Sequence, residues 1–231
     1  LDAGARRIEI LVEQGGVKRI QVRDDGSGIH PDDLALALSR HATSKLQSLE
    51  ELERIASMGF RGEALPSIGS VSRLTLTSTA AGSGQGFAIT PEGELKPAAH
   101  PQGTTVDVRD LFYNTPARRK FLRAETTEFK HIESLFKNLA LSNPEVGFGL
   151  SHNHKQLYQL NPAGLTEALD DRQSMQRLAR LCGKDFSESL ITIDAGSQGL
   201  HDWRLDGALA VAAPMQGSPR SVQVQGGLVA M

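Results

Sequence analysis

Residues Arg6 to Val12 carry Ile8, Ile10 and Val12 at every second position, and Lys18 to Val22 repeat the pattern with Ile20 and Val22. A period of two sends these side chains to one face of a strand and the residues between them to the other. Gln14-Gly15-Gly16 separates the two runs, so together they predict a β-hairpin with one buried face. The second run passes straight into Asp24-Asp25-Gly26-Ser27-Gly28-Ile29. Pro31-Asp32-Asp33 then opens a helix, with proline in the first turn and acids at the positive end of the dipole. Leu34, Leu38 and the small Ala35 and Ala37 form its packing face. The chain thus opens with a hairpin followed by a helix that has one packing face.

Downstream, Ser48 and Glu51 form a capping box for a short helix with Leu52, Ile55 and Ala56, inside a long connection from residue 41 to 62. A connection of that length in a compact domain is disordered or a functional lid. A further helix runs through Leu65-Pro66-Ser67-Ile68, with the proline early enough to be tolerated. Val71 to Thr79 reads as a strand, Ala81 to Gly86 as a glycine-rich tip, and Phe87–Ile89 with Glu94-Leu95 as a hairpin. Another strand covers Thr104 to Val108. The longest helix spans Thr126 to Leu141, with a core stripe of Phe129, Ile132, Phe136 and Leu139. Strands at 146–151 and 156–160 pair across His152-Asn153-His154, a turn with no third metal ligand beside it. Residues 161–171 are the expected linker to a second unit, which has a helix from Ser174 to Cys182 and strands at 190–193 and 203–212.

Net charge is −2, so attraction to nucleic acid requires a local patch. The single cysteine, Cys182, excludes an internal disulfide and a CxxC zinc site and fits a reducing compartment. No apolar run approaches the roughly 18 residues of a membrane span. There is no Walker A loop, no nucleophile elbow and no HExxH.

Three glycine-bearing loops remain, each beside a regular element: Asp24–Gly28, Gly59–Leu65 and Gly103–Thr105. Gly59-Phe-Arg-Gly-Glu-Ala-Leu65 reads either as a phosphate cradle before a helix N-terminus or as a connector with a glycine cap. Asp24 at a strand end can accept a hydrogen bond from an exocyclic amine, with Gly26 and Gly28 letting a flat ring approach the backbone. The alternative is an ordinary Asp-Gly turn. Arg118, Arg119, Lys120 and Arg123 form the densest basic cluster, suited to phosphates, or else a solvated helix face neutralised by Glu125 and Glu128.

Asp24-x-Gly26-x-Gly28, then Gly59–Leu65, then Gly103-Thr104 resemble the ATP-binding motifs shared by gyrase B, the histidine kinases and the MutL mismatch-repair proteins. His41-Ala-Thr-Ser-Lys45, the Gly59–Leu65 stretch and Phe112-Tyr-Asn-Thr-Pro-Ala-Arg-Arg-Lys-Phe-Leu122 resemble the bacterial MutL family specifically. The resemblance covers residues 1 to about 215, and the segment 217–231 departs from the family's strand and Asn-Gly-Arg turn. It implies an α/β two-layer sandwich of the Bergerat type, a mixed β-sheet with helices on one face. That ATP-binding domain spans 1–165, and an incomplete, transducer-like second α/β domain spans 172–231. ATP and Mg²⁺ are the implied cofactors. Asp24, Gly26, Gly28 and Thr104 would hold the base, and Thr43, Ser44 and Lys45 would form the phosphate-facing lid. Gly59, Arg61, Gly62, Ala64 and Leu65 would cradle the phosphates.

The family's first motif carries a Glu that activates water and an Asn that holds Mg²⁺, and it ends in Asp-Ala-Gly-Ala. Here Asp2-Ala3-Gly4-Ala5 stand at that end, so Asp2 and Ala3 border the nucleotide and the Glu and Asn are expected before Leu1. The family's γ-phosphate Lys is expected beyond residue 231. As written, the chain is therefore expected to bind ATP and to hydrolyse it poorly. The implied partners are DNA, a MutS-type mismatch-recognition protein, a downstream nuclease or helicase, and a second copy of the chain, all in the cytoplasm. A type II topoisomerase ATPase subunit is the competing assignment; a histidine kinase domain and a non-enzymatic interaction module are further alternatives.

Overall fold

The computed structural model describes residues 1–39, 63–163 and 172–183, together with the backbone of strands Leu190–Ala195, Leu205–Ala210, Val222–Val224 and Gly227–Val229. The lid residues Thr43, Ser44 and Lys45, the capping-box helix, and Gly59, Arg61 and Gly62 lie outside the described residues. Two units divide the chain: residues 1–132 with 148–159, and residues 133–147 with 160–231.

The first unit is built on an eight-stranded sheet in the order β5-β4-β3-β6-β2-β1-β7-β8. Its strands are β1 Arg7–Glu13, β2 Arg19–Asp24, β3 Arg73–Thr79, β4 Gly86–Ile89, β5 Leu95–Ala98, β6 Gly103–Arg109, β7 Gly147–His152 and β8 Lys155–Leu160. The predicted hairpin forms, joined by a 3-10 turn at Gln14–Gly16, and Ile8 pairs with Asp24 while Val12 pairs with Ile20. β2–β6, β6–β3, β3–β4 and β4–β5 are likewise antiparallel.

Register lines the aliphatic residues up in rows across the strands. Val12, Ile20, Val108 and Leu74 make one row, and Ile10, Val22, Val106, Leu76 and Ile89 make the next. Helix α1, Pro31–Ala37, lies on this face, capped by the His30 imidazole, which accepts from Asp32 N–H at 3.4 Å. Its Leu34 is fully buried with Leu76 and Ile89, against Ile29, Ala37, Leu38, Phe87 and Val106. Burying a leucine of this kind contributes about 2 kcal/mol. The opposite face is polar. There Asp107 accepts from both Arg19, at 2.8 and 3.0 Å, and Arg109, at 3.0 and 2.9 Å. An antiparallel sheet with one packed and one solvated face has this alternation.

Among the described residues three more helices follow: α2 Ala64–Gly69, α3 Pro116–Arg119 and α4 Glu125–Ser142. In α4 the expected stripe packs inward, with Phe129 and Phe136 buried and Ile132 and Leu139 half-buried.

In the second unit, helix α5, Arg172–Cys182, carries the buried Arg177. Its guanidinium donates to the carbonyls of Ala140, Asn143 and Asn161 at 2.8, 3.2 and 2.6 Å. Burial pulls its pKa below the ordinary arginine value and pushes the Cys182 thiol up. The start of the expected linker is not a linker. Ala163 is buried and donates to Pro144 O at 2.8 Å, and the Asn161 carbonyl accepts from Arg177, so both ends of this short stretch are tied to the unit although Asn161 and Pro162 are exposed. Residues 133–147, expected in the first domain, belong here as well. Strands β9 Leu190–Ala195 and β10 Leu205–Ala210 pair antiparallel, as do β11 Val222–Val224 and β12 Gly227–Val229. No described helix is long and apolar enough to cross a membrane.

Candidate functional site

One step beyond the aliphatic rows, the same face of the sheet turns polar. Ser78 pairs with Thr104 between β3 and β6. The β2–β6 register ends at Arg23 opposite Thr105, which sets Asp24 opposite Thr104. Asp24, Thr104 and Ser78 therefore form a row across three neighbouring strands, flanked by Ile8 on β1 and Phe87 on β4. A sequence of strands that bury valine and leucine ends, at one edge of the helix-covered face, in a carboxylate and two hydroxyls.

Each of these polar groups is held. Asp24 Oδ1 accepts from Gly26 N–H at 2.9 Å, an Asx turn that orients the carboxylate. Ser78 is 1% exposed. Its hydroxyl accepts from Ile29 N–H at 2.8 Å, donates to Gly103 O at 3.0 Å, and lies 2.9 Å from Thr104 Oγ1. Asp25 points the other way and accepts from the N–H groups of Arg6 and Arg7, both at 2.8 Å, which fixes the start of β1.

The Asp24–Gly28 loop is clamped by its neighbours. Ser27 N–H donates to Ala3 O at 2.9 Å, Ala81 N–H donates to Ser27 O at 2.8 Å, and the Gln102 amide donates to Gly26 O at 3.2 Å. A Cβ on Gly26 would come within 2.7 Å of Ala3 O and 2.8 Å of Ala3 Cβ. Gly28 has φ +70°, and a Cβ there would overlap the Thr79 carbonyl. Ala3, Asp24, Gly26 and Gly28 thus lie together, with Thr104 opposite Asp24, drawn from three separate stretches of the sequence.

Ala64 and Leu65 occupy the first turn of α2, which follows Glu63. First-turn amides have no carbonyl within the helix to receive them, and Pro66, which lacks an N–H, costs no bond there. α2 packs on β3, and Gly69 abuts Pro91 of the β4–β5 turn. Their six companions in the expected cradle and lid series, Gly59, Arg61, Gly62, Thr43, Ser44 and Lys45, fall outside the described residues.

Arg118, Arg119, Lys120 and Arg123 sit apart, exposed on α3 and the segment after it. Of the two acids beside them in sequence, one is engaged elsewhere and one stays by Arg123. Glu125 accepts from the Asn153 side chain at 2.6 Å and lies 3.3 Å from His152 Nε2. Glu128 accepts from the Arg123 backbone N–H at 2.8 Å. His152 also stacks on Phe129, with ring centroids 3.8 Å apart. Phe121, inside the basic stretch, is 86% exposed.

Sequence reasoning missed Ser78, Asp25 and Gln102. Ser78 did carry a signal: in Leu74-Thr75-Leu76-Thr77-Ser78 it stands in the buried phase, where a hydroxyl needs partners. Asp25 and Gln102 carried none.

A family model described as "Histidine kinase-, DNA gyrase B-, and HSP90-like ATPase" matches residues 1–90. The DNA mismatch repair protein MutL of Pseudomonas paraeruginosa is 54% identical over 208 residues, which is 88% of this chain and 32% of that protein. MutL of Azotobacter vinelandii is 55% identical over the same lengths. The chain thus spans about a third of the curated relatives it matches. Among solved structures, the Aquifex aeolicus MutL ATPase domain complexed with ADP aligns with TM-score 0.61 and 29% identity, over 84% of this chain and 66% of that one. The ATPase domain from the A. aeolicus mismatch repair endonuclease MutL aligns with TM-score 0.61 and 25% identity, over 95% and 70%. These likenesses agree with the α/β architecture described above.

Proposed function

We propose, from the 54% identity with MutL over 208 residues, that the chain is part of a MutL-family protein, binds an adenine nucleotide and acts as the ATP-driven switch of DNA mismatch repair. The observation that carries this reading is the polar row of Asp24, Thr104 and Ser78 at the end of the helix-covered face. Its chemistry fits an aminopurine: a carboxylate fixed through Oδ1, with Oδ2 left to accept from an exocyclic amine. Matched relatives are mismatch-repair proteins, which leaves the topoisomerase assignment without support.

In this reading Asp24 and Thr104 hold the base, with Asp2 and Ala3 closing over the Asp24–Gly28 loop. Ala64 and Leu65 offer first-turn amides to the phosphates, in series with Gly59, Arg61 and Gly62. Thr43, Ser44 and Lys45 form the lid. ATP, when bound with Mg²⁺, supplies the γ-phosphate whose presence or loss distinguishes two lid states. No described residue is assigned to the metal. Ordering of the lid would bring two copies together and present a surface to a MutS-type protein, to a downstream nuclease or helicase, and to DNA. Arg118, Arg119, Lys120 and Arg123 would meet DNA phosphates, since all four are exposed and Glu125 is occupied by Asn153 and His152.

Calorimetric titration of the chain with ADP tests the reading. Wild-type protein is expected to bind, and Asp24→Asn to weaken binding roughly 10- to 100-fold, the loss of one hydrogen bond to a charged group. Equal affinity in the variant would overturn the assignment of the base site.

A further inference from the structure

The Ser78 hydroxyl has three polar neighbours and only one proton. Ile29 N–H is a donor, so Ser78 Oγ accepts it, at 2.8 Å. Gly103 O is a carbonyl and can only accept, so at 3.0 Å it requires the serine proton. Thr104 Oγ1, at 2.9 Å, then has to donate to Ser78. In the reverse arrangement Ser78 would give its proton to Thr104 and leave two lone-pair-bearing oxygens, Ser78 Oγ and Gly103 O, facing each other. Only the first arrangement makes all three contacts favourable, and the Gly103 and Thr104 contacts are buried, where an unfavourable one is most costly.

From this geometry we infer that Ser78 is a positioning residue that sets the polarity of the base pocket. With its proton committed to Ser78, Thr104 turns only lone pairs toward any other group. The Asp24 carboxylate likewise only accepts, with Oδ1 already taken by Gly26 N–H. The row therefore presents acceptors and no donor. A 6-amino purine offers two N–H donors at the position where a 6-oxo purine offers a carbonyl oxygen. Acceptor-only walls favour the first and repel the second, and a pocket built around hydrogen bonds discriminates strongly. Selectivity for adenine over hypoxanthine thus passes through a buried serine that touches neither base. Removing Ser78 frees the Thr104 hydroxyl to rotate and to donate, so that it can satisfy an oxo group.

This inference rests on the nucleotide reading above, and the experiment separates the two. Dissociation constants for ADP and inosine diphosphate are measured for wild type, Ser78→Ala, Thr104→Val and the double variant, with thermal melts to establish folding. Wild type is expected to prefer ADP by on the order of 100-fold. Ser78→Ala should reduce that ratio about tenfold while changing ADP affinity less than inosine diphosphate affinity. The double variant should show no further loss beyond Thr104→Val, because both changes act through one hydroxyl. A Ser78→Ala protein that folds and keeps the full ratio overturns the inference and leaves the nucleotide site intact. Should Ser78→Ala not fold, Thr104→Ser is expected to preserve the ratio and Thr104→Val to lower it, and equal ratios in those two overturn it. Wild type that binds neither nucleotide overturns the nucleotide reading itself.

Discussion

Gly28 shows what a single position contributes. Its φ of +70° is costly for a side chain, and its missing Cβ faces the Thr79 carbonyl and Ala80 Cα. Gly82 has a similar φ of +77° but open space around it. Both Gly→Ala substitutions incur the backbone cost of about 1 kcal/mol, and Gly28→Ala adds a backbone collision that no rotamer relieves. Gly28→Ala is expected to cost about 2–4 kcal/mol and to lower Tm by roughly 5–15 °C, against about 2–4 °C for Gly82→Ala. Thermal unfolding of the two variants side by side checks this, and equal shifts would show that φ alone matters. The loop itself was legible, because Asp-x-Gly-x-Gly after an alternating strand leaves few conformations. The reason for its glycines was not. From the sequence, Gly26 and Gly28 clear space for a flat ring, whereas their Cβ positions face Ala3 and Thr79, residues whose proximity only the folded sheet creates.

At the scale of elements, period-two runs located the strands well because one face of the sheet is dry. Register then followed from burial: shifting β3 by one residue would expose Leu74 and Leu76 and bury Arg73. β5 was harder to see, since it is an edge strand of exposed residues with Pro97 in it, and its pattern carries no buried phase. The solvated face has its own logic, in the ladder joining β2 to β6. Burial alone would raise the pKa of Asp107, but hydrogen bonds from Arg19 and Arg109 outweigh it and hold the carboxyl below its ordinary value. A folded-state pKa below the unfolded one means that the ionised form stabilises the fold. That stability is present above about pH 4 and is lost as pH falls through the lowered value. Glu13 behaves alike, lowered chiefly by its hydrogen bond from Lys18. Asp107→Asn is therefore expected to cost about 2 kcal/mol at pH 7 and progressively less below pH 4. Urea unfolding at pH 7 and pH 3 reads the difference. A penalty that stays constant between them would show that the ion pairs contribute nothing beyond packing.

Across the whole molecule, 25 basic and 27 acidic residues give a net charge of −2, so no long-range field draws the chain to DNA. Any affinity has to come from a few cations whose neighbouring acids are diverted. Arg118, Arg119 and Lys120 come nearest to that condition, because Glu125 is drawn to Asn153 and His152, while Glu128 stays beside Arg123 through its backbone N–H. The sequence left this point undecided: Glu125 and Glu128 are near in number, and only the turn at Asn153 and the cap of α4 show where they go. Each phosphate contact releases counterions, and the slope of log K against log salt falls by about 0.9 per contact for duplex DNA. Replacing all four cations by alanine is expected to reduce that slope by about 2–4 in anisotropy titrations across a salt series, with ADP affinity unchanged because the Asp24–Thr104 row is untouched. Should DNA affinity fall while the salt slope stays the same, the loss would not come from phosphate contacts. Should ADP affinity fall with it, the four residues would belong to the nucleotide site after all.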